Sequence, residues 1–468
     1  MVESAIKPLY FTEHPNDPVP LVDECDVELR TSSVGLIFGK GNIVYRWAPI
    51  ESIRFDLSHI AGTPPSQLAA FFDQSAILGQ SAILNVPLNP PINLEVRVKK
   101  HHFSMHSGEM PTVNIGGLAF RTRLDEELLC DELKFHLVNL HDYYGARIKY
   151  PSGRSSNRRI VLSNDKWEIT IDAVENLKEL LDELEQDGGF AITHVGLLRK
   201  RDNSTFKVKE ALEQLKLLGF FLSFVEGRWC FPRFMIGLLN GKIVFRDLCA
   251  TGRISQWDEI WRWSPSEAYD LDLAYKGFVP KWNDPKWRET IALIIEFYVR
   301  ANIYHVVNLS VLDSFMALDR LASGYCLENV NPASERIRQA LGKARLATRL
   351  PSSDLCRFYG DFYRINCPGK IADGPNILTD FRHGVVHGNR PIVAGDKRNR
   401  PNLDEDPDSS NPIVPFNLMR DAQNFGLWCV EMSLLFLIGY NGHYNDRLTR
   451  AQEVPVSGST NPLAAKSP

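Results

Sequence analysis

The sequence predicts a multidomain α+β fold in which a β-rich N-terminal half is followed by an all-α helical bundle. The chain has 468 residues, of which 44% are hydrophobic, and this is enough to bury at least two cores. In the first half, short runs of β-branched and aromatic residues are separated by Gly, Pro and Asn, as strands are separated by turns. In the second half, apolar residues recur every three or four positions, which is the period of a helix with one buried face.

Changes in composition along the chain suggest where the domains begin and end. We predict an α+β region at residues 1–264, with two subdomains divided near residues 150–190. Prolines and a glycine then predict a linker at residues 265–285. An all-α domain follows at residues 286–450, and polar, small residues at 451–468 predict a disordered tail.

Two stretches of the first half give specific local predictions. Val34–Phe38 and Asn42–Trp47 read as strands, and Gly39–Asn42 between them predicts a hairpin turn, because glycine adopts the positive φ that short turns need. Further along, Lys207–Leu218 predicts a helix and Phe220–Val225 a strand.

The second half contains several helical patterns before and after a short motif that is described below. Apolar residues fall on one stripe in each of them. The predicted helices are Trp287–Arg300, Tyr304–Leu321, Ser334–Ala347, Ser352–Tyr363 and a final long helix within Asn411–Gly439.

Bulk properties limit the function classes. The formal net charge is -4, from 53 basic and 57 acidic residues, so any contact with nucleic acid must be local. Eight cysteines occur without CxxC pairs, which indicates free thiols in a reducing compartment. The apolar run Phe425–Tyr440 is short for a membrane span and contains Glu431, and the N-terminus has no signal-peptide core. We therefore expect a cytoplasmic protein without membrane contact.

The stretch Asp380–Gly388 is where residue type, spacing and local structure together indicate chemistry. Asn376 or Thr379 can cap a helix start, and Gly388 with Pro391 ends it. Phe381, Val385 and Val386 are predicted to form the core face of this helix.

His387 falls in the last turn of this helix, where the carbonyl end of the helix dipole favours an imidazolium by roughly 0.3–1 kcal/mol at an exposed site. Such a histidine can hold and release a proton near neutral pH. Arg382 lies five positions earlier, so the two side chains point about 140° apart around the helix. A second copy of the helix would bring such residues to one cleft.

The spacing Arg382-x4-His387, with polar His383 directly after the arginine, resembles the R-polar-x3-H signature of HEPN-domain ribonucleases. The helical patterns around it resemble the helical half of HEPN proteins with an ApeA-type organisation, so the bundle is expected to be a HEPN bundle. In those proteins a β-rich N-terminal domain comes first, and the role known for the type is anti-phage abortive infection. The resemblance implies a metal-independent endoribonuclease, a toxin that cleaves RNA when a trigger reaches the N-terminal sensor or regulatory region.

The resemblance also implies roles for individual residues. His387 would be the general acid or base, Arg382 would stabilise the charge of the transition state, and His383 would orient the substrate or the arginine. Candidate substrate-binding residues are Asp380, Asn389, Arg390, Lys397 and Arg398. The mobile segment 388–411 would gate the site.

The implied partners are RNA, with tRNA as one candidate, a second copy of the chain bound through the HEPN domain, and a phage-derived trigger bound at the N-terminal region. No cofactor and no metal is implied. Asn389 stands where antitoxin-controlled HEPN proteins have a tyrosine, so regulation by tyrosine modification is not expected.

Three alternatives remain open for these residues. Asp380, His383 and His387 lie at i, i+3 and i+7, on one helix face, and such a set can hold a metal. Arg382 can instead pair with Asp380 or Glu431 while His387 caps its own helix. The HEPN half can also be a catalytically silent module for dimerisation and for binding nucleic acid or protein.

Overall fold

The computed structural model describes residues 2–31, 35–47, 51–58, 81–104, 112–123, 125–249, 252–303, 306–348, 350, 353–387, 392–393, 413–414, 416–449 and 451–455. The chain divides into two compact units. One comprises Met1–Gly219 with Cys230–Glu259, and the other comprises Phe220–Trp229 with Ile260–Pro468. The first is β-rich and the second is mainly helical, which confirms the predicted mixed α+β class with its β-rich N-terminal and helical C-terminal halves.

A closed β-barrel forms the first part of the first unit. Its strands are paired in the order β2-β3-β4-β7-β6-β5, and closure leaves no long sheet edge exposed. Alternate side chains such as Val27, Leu29 and Ile37 point inward and are buried. The strands are β2 (Val19–Thr31), β3 (Gly35–Arg46), β4 (Ser52–Ser58), β5 (Ser81–Val86), β6 (Ile92–Ser104) and β7 (Thr112–Thr122).

The predicted hairpin turn at Gly39–Asn42 is wrong, because β3 runs straight through it. A Cβ at Gly41 would lie 3.0 Å from Val27 Cγ2 and 3.1 Å from the Asp56 carbonyl oxygen. The glycine therefore permits close approach of neighbouring strands instead of a reversal of the chain.

A mixed sheet forms the rest of the first unit. Within the described residues its order is β1-β10-β11-β12-β13-β9-β15-β16. The strands outside the barrel are β1 (Glu3–Ser4), β8 (Leu129–Cys130), β9 (Glu132–Val138), β10 (Ala146–Lys149), β11 (Ser155–Ser163), β12 (Trp167–Ala173), β13 (Ile192–Lys200), β14 (Phe206–Lys207), β15 (Arg233–Leu239) and β16 (Lys242–Asp247). Helix α1 (Leu177–Asp187) buries Leu177, Leu180 and Leu184.

The predicted subdomain division near residues 150–190 does not match this topology. Those residues contribute β11, β12 and α1 to the sheet and its covering helix. One hydrophobic cluster contains barrel side chains such as Leu29 together with Val138, Ile192 and Phe234 of the sheet. Shared burial therefore joins barrel and sheet into one unit.

Helix α2 (Val208–Glu226) replaces the predicted helix and strand. The apolar run Phe220–Val225 is compatible with both a helix and a strand, and its packing contacts decide in favour of the helix. Phe221 contacts Tyr275 and Phe224 contacts Trp263 with ring centroids 5.2 and 5.1 Å apart, within the second unit. These aromatic partners lie about 40 to 55 residues further along the chain, so a local sequence pattern cannot predict the contacts.

The second unit is built mainly from helices, and the existence of all of them except α3 was predicted from the sequence. They are α3 (Ala268–Asn283), α4 (Pro285–Ile303), α5 (Val307–Gly324), α6 (Ala333–Lys343), α7 (Ser353–Asn366), α8 (Gly374–His387) and α9 (Phe416–Leu437). Most of the predicted linker at 265–285 is α3, with Pro280 inside it. Burial of Leu271, Tyr275 and Phe278 outweighs the cost of the proline.

Short strands complete the second unit. β17 (Ile392–Val393) pairs in parallel with β18 (Ile413–Val414), and β19 (His443–Asp446) pairs with β20 (Ala451–Pro455). The predicted disordered tail at 451–468 therefore begins with a strand, while 456–468 lies outside the described residues. Among the described helices, none is both long and apolar enough to cross a membrane.

Candidate active site on helix α8

The start of helix α8 is capped by the carboxylate of Asp373, which was not predicted from the sequence. The Asn376 backbone N–H donates to Asp373 Oδ1 at 3.1 Å, which is capping geometry at the third helical residue. Arg338 of α6 donates to Asp373 Oδ2 from Nη2 at 2.8 Å, so the cap is tied to a second helix. Asn376 and Thr379, the predicted caps, both lie inside the helix, and the Thr379 hydroxyl donates to the Pro375 carbonyl oxygen.

Helix α8 packs closely against α9 and α5. A Cβ at Gly426 of α9 would lie 2.8 Å from Ser314 Cβ of α5 and 3.6 Å from Leu378 of α8, so the absent side chain lets three helices approach. Phe381 is buried as predicted. Val385 and Val386, also predicted to face the core, are 38% and 49% exposed. The last turn of the helix therefore lies at the surface.

Asp380 is buried and paired. Its carboxylate is 1% exposed, and both of its oxygens accept from Lys370 Nζ at 2.8 Å. Burial, followed by the nearby Asp380 charge, raises the pKa of Tyr363 and of Tyr359 on α7. Both phenols therefore stay neutral beside the ion pair. The prediction that Asp380 binds substrate does not fit this structure, because the carboxylate is enclosed and already satisfied.

Arg382 lies on a different part of the α8 surface. Its guanidinium carbon is 6.0 Å from the centroid of the Phe315 ring of α5, which is cation–π range, and the side chain is half-buried. The two carboxylates considered as partners are engaged elsewhere: Asp380 by Lys370, and Glu431 by Arg447 at 2.6 Å. Within the described part of the chain, Arg382 forms no ion pair. It is a cation held in place by an aromatic ring instead of a carboxylate.

The two histidines occupy the last two turns of α8. His383 is half-buried, and His387 is the final residue of the helix, so its position in the last turn agrees with the prediction. The His387 side chain lies outside what the structure describes. By helix geometry its Cα is about 7.5 Å along the axis from that of Arg382.

The remaining predicted site residues lie outside the described ranges. These are Asn389, Arg390, Lys397 and Arg398, together with most of the segment 388–411 predicted as a gate. Across the described residues no group of three or more His, Cys, Asp or Glu side chains is arranged to hold a metal. For Asp380 to bind a metal, as the metal alternative requires, its ion pair with Lys370 would first have to break.

Two side chains near the site, half-buried Lys370 and buried Phe315, had no clear signal in the sequence. Lys370 follows a Pro-Gly turn ten positions before Asp380, and Phe315 is one of many apolar residues on α5. Glu431 did have a signal in the sequence, because it is a charged residue within the long apolar stretch of α9. Glu431 also accepts from Tyr298 of α4 at 2.9 Å, and both side chains are buried.

Comparisons with known proteins match most of the chain. Residues 125–260 match the model of the YopA central domain, and residues 284–457 match that of the YopA C-terminal domain. The SPbeta prophage-derived uncharacterized protein YopA of Bacillus subtilis (strain 168) is 25% identical over 357 residues, which cover 73% of this chain and 74% of that protein.

Among solved structures, apo MrkH of K. pneumonia aligns with 41% of this chain and 86% of its own. The identity is 10% and the TM-score is 0.12, so this likeness carries no argument. The first family match ends at residue 260, next to the division of the two units after Glu259. Residues 125–260 and 284–457 of this chain are thus similar to the central and C-terminal domains of YopA.

Proposed function

We propose that the second unit is a HEPN-type, metal-independent endoribonuclease that cleaves RNA by attack of a 2′-hydroxyl on the adjacent phosphate. One observation carries the proposal. Arg382 is half-buried over Phe315 and has no ion pair among the described residues, on a helix whose last residue is His387. An arginine that serves only to balance charge would be expected to have a carboxylate beside it.

The chemistry follows from these residue types. His387 takes the proton of the attacking 2′-hydroxyl or gives one to the leaving oxygen, and its place in the last turn favours the imidazolium. Arg382 stabilises the charge that develops on the phosphate oxygens, which its planar fork matches. His383, one residue on, orients the substrate or the guanidinium.

A second copy of the chain completes the site in this proposal. Arg382 and His387 diverge by about 140° on one helix, so a facing helix is needed to bring both to one phosphate. Val385 and Val386 on α8 are exposed, and so are Leu309 and Met316 on α5, at 41% and 37%. Exposed apolar side chains on these two helices support a dimer face beside the site.

The biological role that fits is a triggered anti-phage effector. The first unit would be the sensor for a phage-derived trigger, and the second would cut RNA, with tRNA as one candidate, in the cytoplasm. The YopA relative is prophage-derived by its name, which suits a protein involved in conflict between phages.

The test compares the wild type with Arg382→Ala and His387→Ala on total RNA and tRNA in EDTA, together with growth arrest on expression. The matched control is Arg357→Ala on α7, a 75% exposed arginine in a surface ion pair. We expect cleavage by the wild type and the control but not by the two site variants. If the wild type is as inert as the variants in both assays, even under phage challenge, the enzyme proposal fails.

A second candidate is a silent module for dimerisation and for binding nucleic acid or protein. The exposed apolar side chains of α5 and α8 favour this candidate, because such a surface can bind a partner chain without any catalytic activity. In this case Val386→Asp abolishes function in phage challenge while Arg382→Ala leaves it intact. Loss of function with both variants supports the ribonuclease, because its site needs Arg382 as well as the second copy of the chain.

A further inference from the structure

A cleft of about 570 Å³ lies on the outer face of the barrel. Its volume is within the range of small-molecule sites. It is lined by Glu24, Asp26, Val27 and Glu28 of β2, Phe38, Gly39 and Lys40 of β3, and Asn85 with Pro87 at the end of β5.

Strand register explains why these side chains meet. Glu28 lies directly opposite Phe38 of β3 on one side and Asn85 of β5 on the other. Asp26, two positions earlier on the same face of β2, lies opposite Lys40. The cleft floor is therefore a small lattice of aromatic, carboxylate and amide groups.

The cleft presents an exposed aromatic ring to a ligand. Phe38 is 48% exposed although it is aromatic, and the Asn85 side chain lines the same cleft. The face of an aromatic ring can pack against the apolar carbons of a bound molecule. This feature favours a ligand that contains an apolar chain.

The charge in the cleft favours a cation. The lining contains three carboxylates, from Glu24, Asp26 and Glu28, and one ammonium group, from Lys40. Arg30 is exposed and does not line the cleft, and its Nη2 donates to Glu28 Oε1 at 3.2 Å. Residues two apart on a strand are about 7 Å apart, so Asp26 and Glu28 present negative charge at that interval. The five bonds between the nitrogens of a 1,4-diaminobutane unit span a similar distance. A bare divalent cation needs several oxygens around one point and gains nothing from a phenyl wall.

We propose that this cleft binds a linear organic polycation of the polyamine class. Its ammonium groups pair with Asp26 and Glu28, and its methylene chain lies on the Phe38 ring. Lys40 opposes the ligand and limits its affinity. The site belongs to the first unit and does not depend on ribonuclease activity of the second.

Isothermal titration calorimetry of the full chain tests the proposal, with spermidine, 1,4-diaminobutane, n-butylamine and MgCl2 as probes. We expect one site per chain for the first two, at least tenfold weaker binding of n-butylamine, and no competition by Mg²⁺ at matched ionic strength. Asp26→Asn and Phe38→Ala should each weaken spermidine binding at least fivefold. Lys40→Gln should tighten it, which a purely structural lysine would not do.

The matched control is Asp56→Asn, because Asp56 is an exposed carboxylate of β4 that does not line the cleft. It should leave the affinity unchanged, and circular dichroism should show that each variant is folded. No binding by the wild type overturns the proposal. So does an equal effect of Asp26→Asn and Asp56→Asn, or displacement of spermidine by Mg²⁺, because either result shows non-specific attraction.

Discussion

Acidification should destabilise the first unit through one buried histidine. His136 is 0% exposed, and its Nε2 accepts from the backbone N–H groups of Leu9 and Tyr10 at 3.3 and 3.2 Å. Its Nδ1 then carries the proton and donates to the Phe234 carbonyl oxygen at 3.2 Å. The neutral ring is thus the form that holds the N-terminal segment, and protonating Nε2 would break both contacts.

The magnitude follows from the pKa. Burial, mainly, lowers the pKa of His136 from 6.5 to about 4. Above pH 6.5 both the folded and the unfolded chain leave the ring neutral, so the stability is full. Between pH 6.5 and about 4 only the unfolded chain takes up the proton, and stability falls. A pKa difference of about 2.5, at about 1.4 kcal/mol per pKa unit, gives a total loss of about 3 to 4 kcal/mol once the pH is below the folded pKa.

Urea unfolding at pH 7.5, 6.0 and 4.5 measures this, with His136→Gln compared to the wild type. The variant should be less stable at pH 7.5 and should lose less on acidification. His14→Gln is the control of opposite sign, since a hydrogen bond with Glu183 raises the pKa of exposed His14. The His14 contribution is present below its unfolded pKa and is lost as pH rises. If the wild type and His136→Gln lose stability in parallel, protonation of His136 is not the cause of the loss.

Three further predictions concern the second unit. Glu431→Gln should lower the free energy of unfolding by about 3–5 kcal/mol in urea titrations, because it leaves buried Arg447 without its charge partner. Mixing inactive Arg382→Ala with inactive His387→Ala chains should restore about one quarter of the wild-type cleavage rate. Half of the dimers are then mixed, and each holds one intact pair of residues from two chains. Val386→Asp should shift the mass measured by light scattering from dimer to monomer.

Each of these predictions has its own control and contrary outcome. Glu289→Gln, at a side chain that is 82% exposed, should change stability by less than about 0.5 kcal/mol. Similar losses for Glu289→Gln and Glu431→Gln would contradict the buried-pair argument. No activity from the mixed chains places the whole site within one chain. Val161→Asp, at an exposed valine of the first unit, should leave the mass unchanged.

Local pattern was enough for most helices of the second unit. Ile291, Ile294 and Ile295 repeat at helical spacing and are all buried in α4, so periodicity alone identified the face. The existence of the motif helix followed from the same reasoning, although Val385 and Val386 are exposed instead of buried. In the first unit, alternation identified strands but not how glycine is used, and Gly41 therefore read as a turn.

Where a segment satisfied two patterns, only distant partners could choose between them. Phe220–Val225 is apolar at every position except Ser223, and it is helical because Phe221 and Phe224 pack on rings far along the chain. The predicted linker became α3 for the same reason, because burial outweighed its proline.

The sequence was enough to place Arg382, His383 and His387 on one short helix, because helical periodicity acts over a few residues. The surroundings of these three residues depend on the fold. Lys370 forms an ion pair with Asp380, and the Phe315 ring, not a carboxylate, contacts Arg382. Ion pairs and ring contacts depend on distances between segments that the fold brings together, and a local pattern contains no such distance.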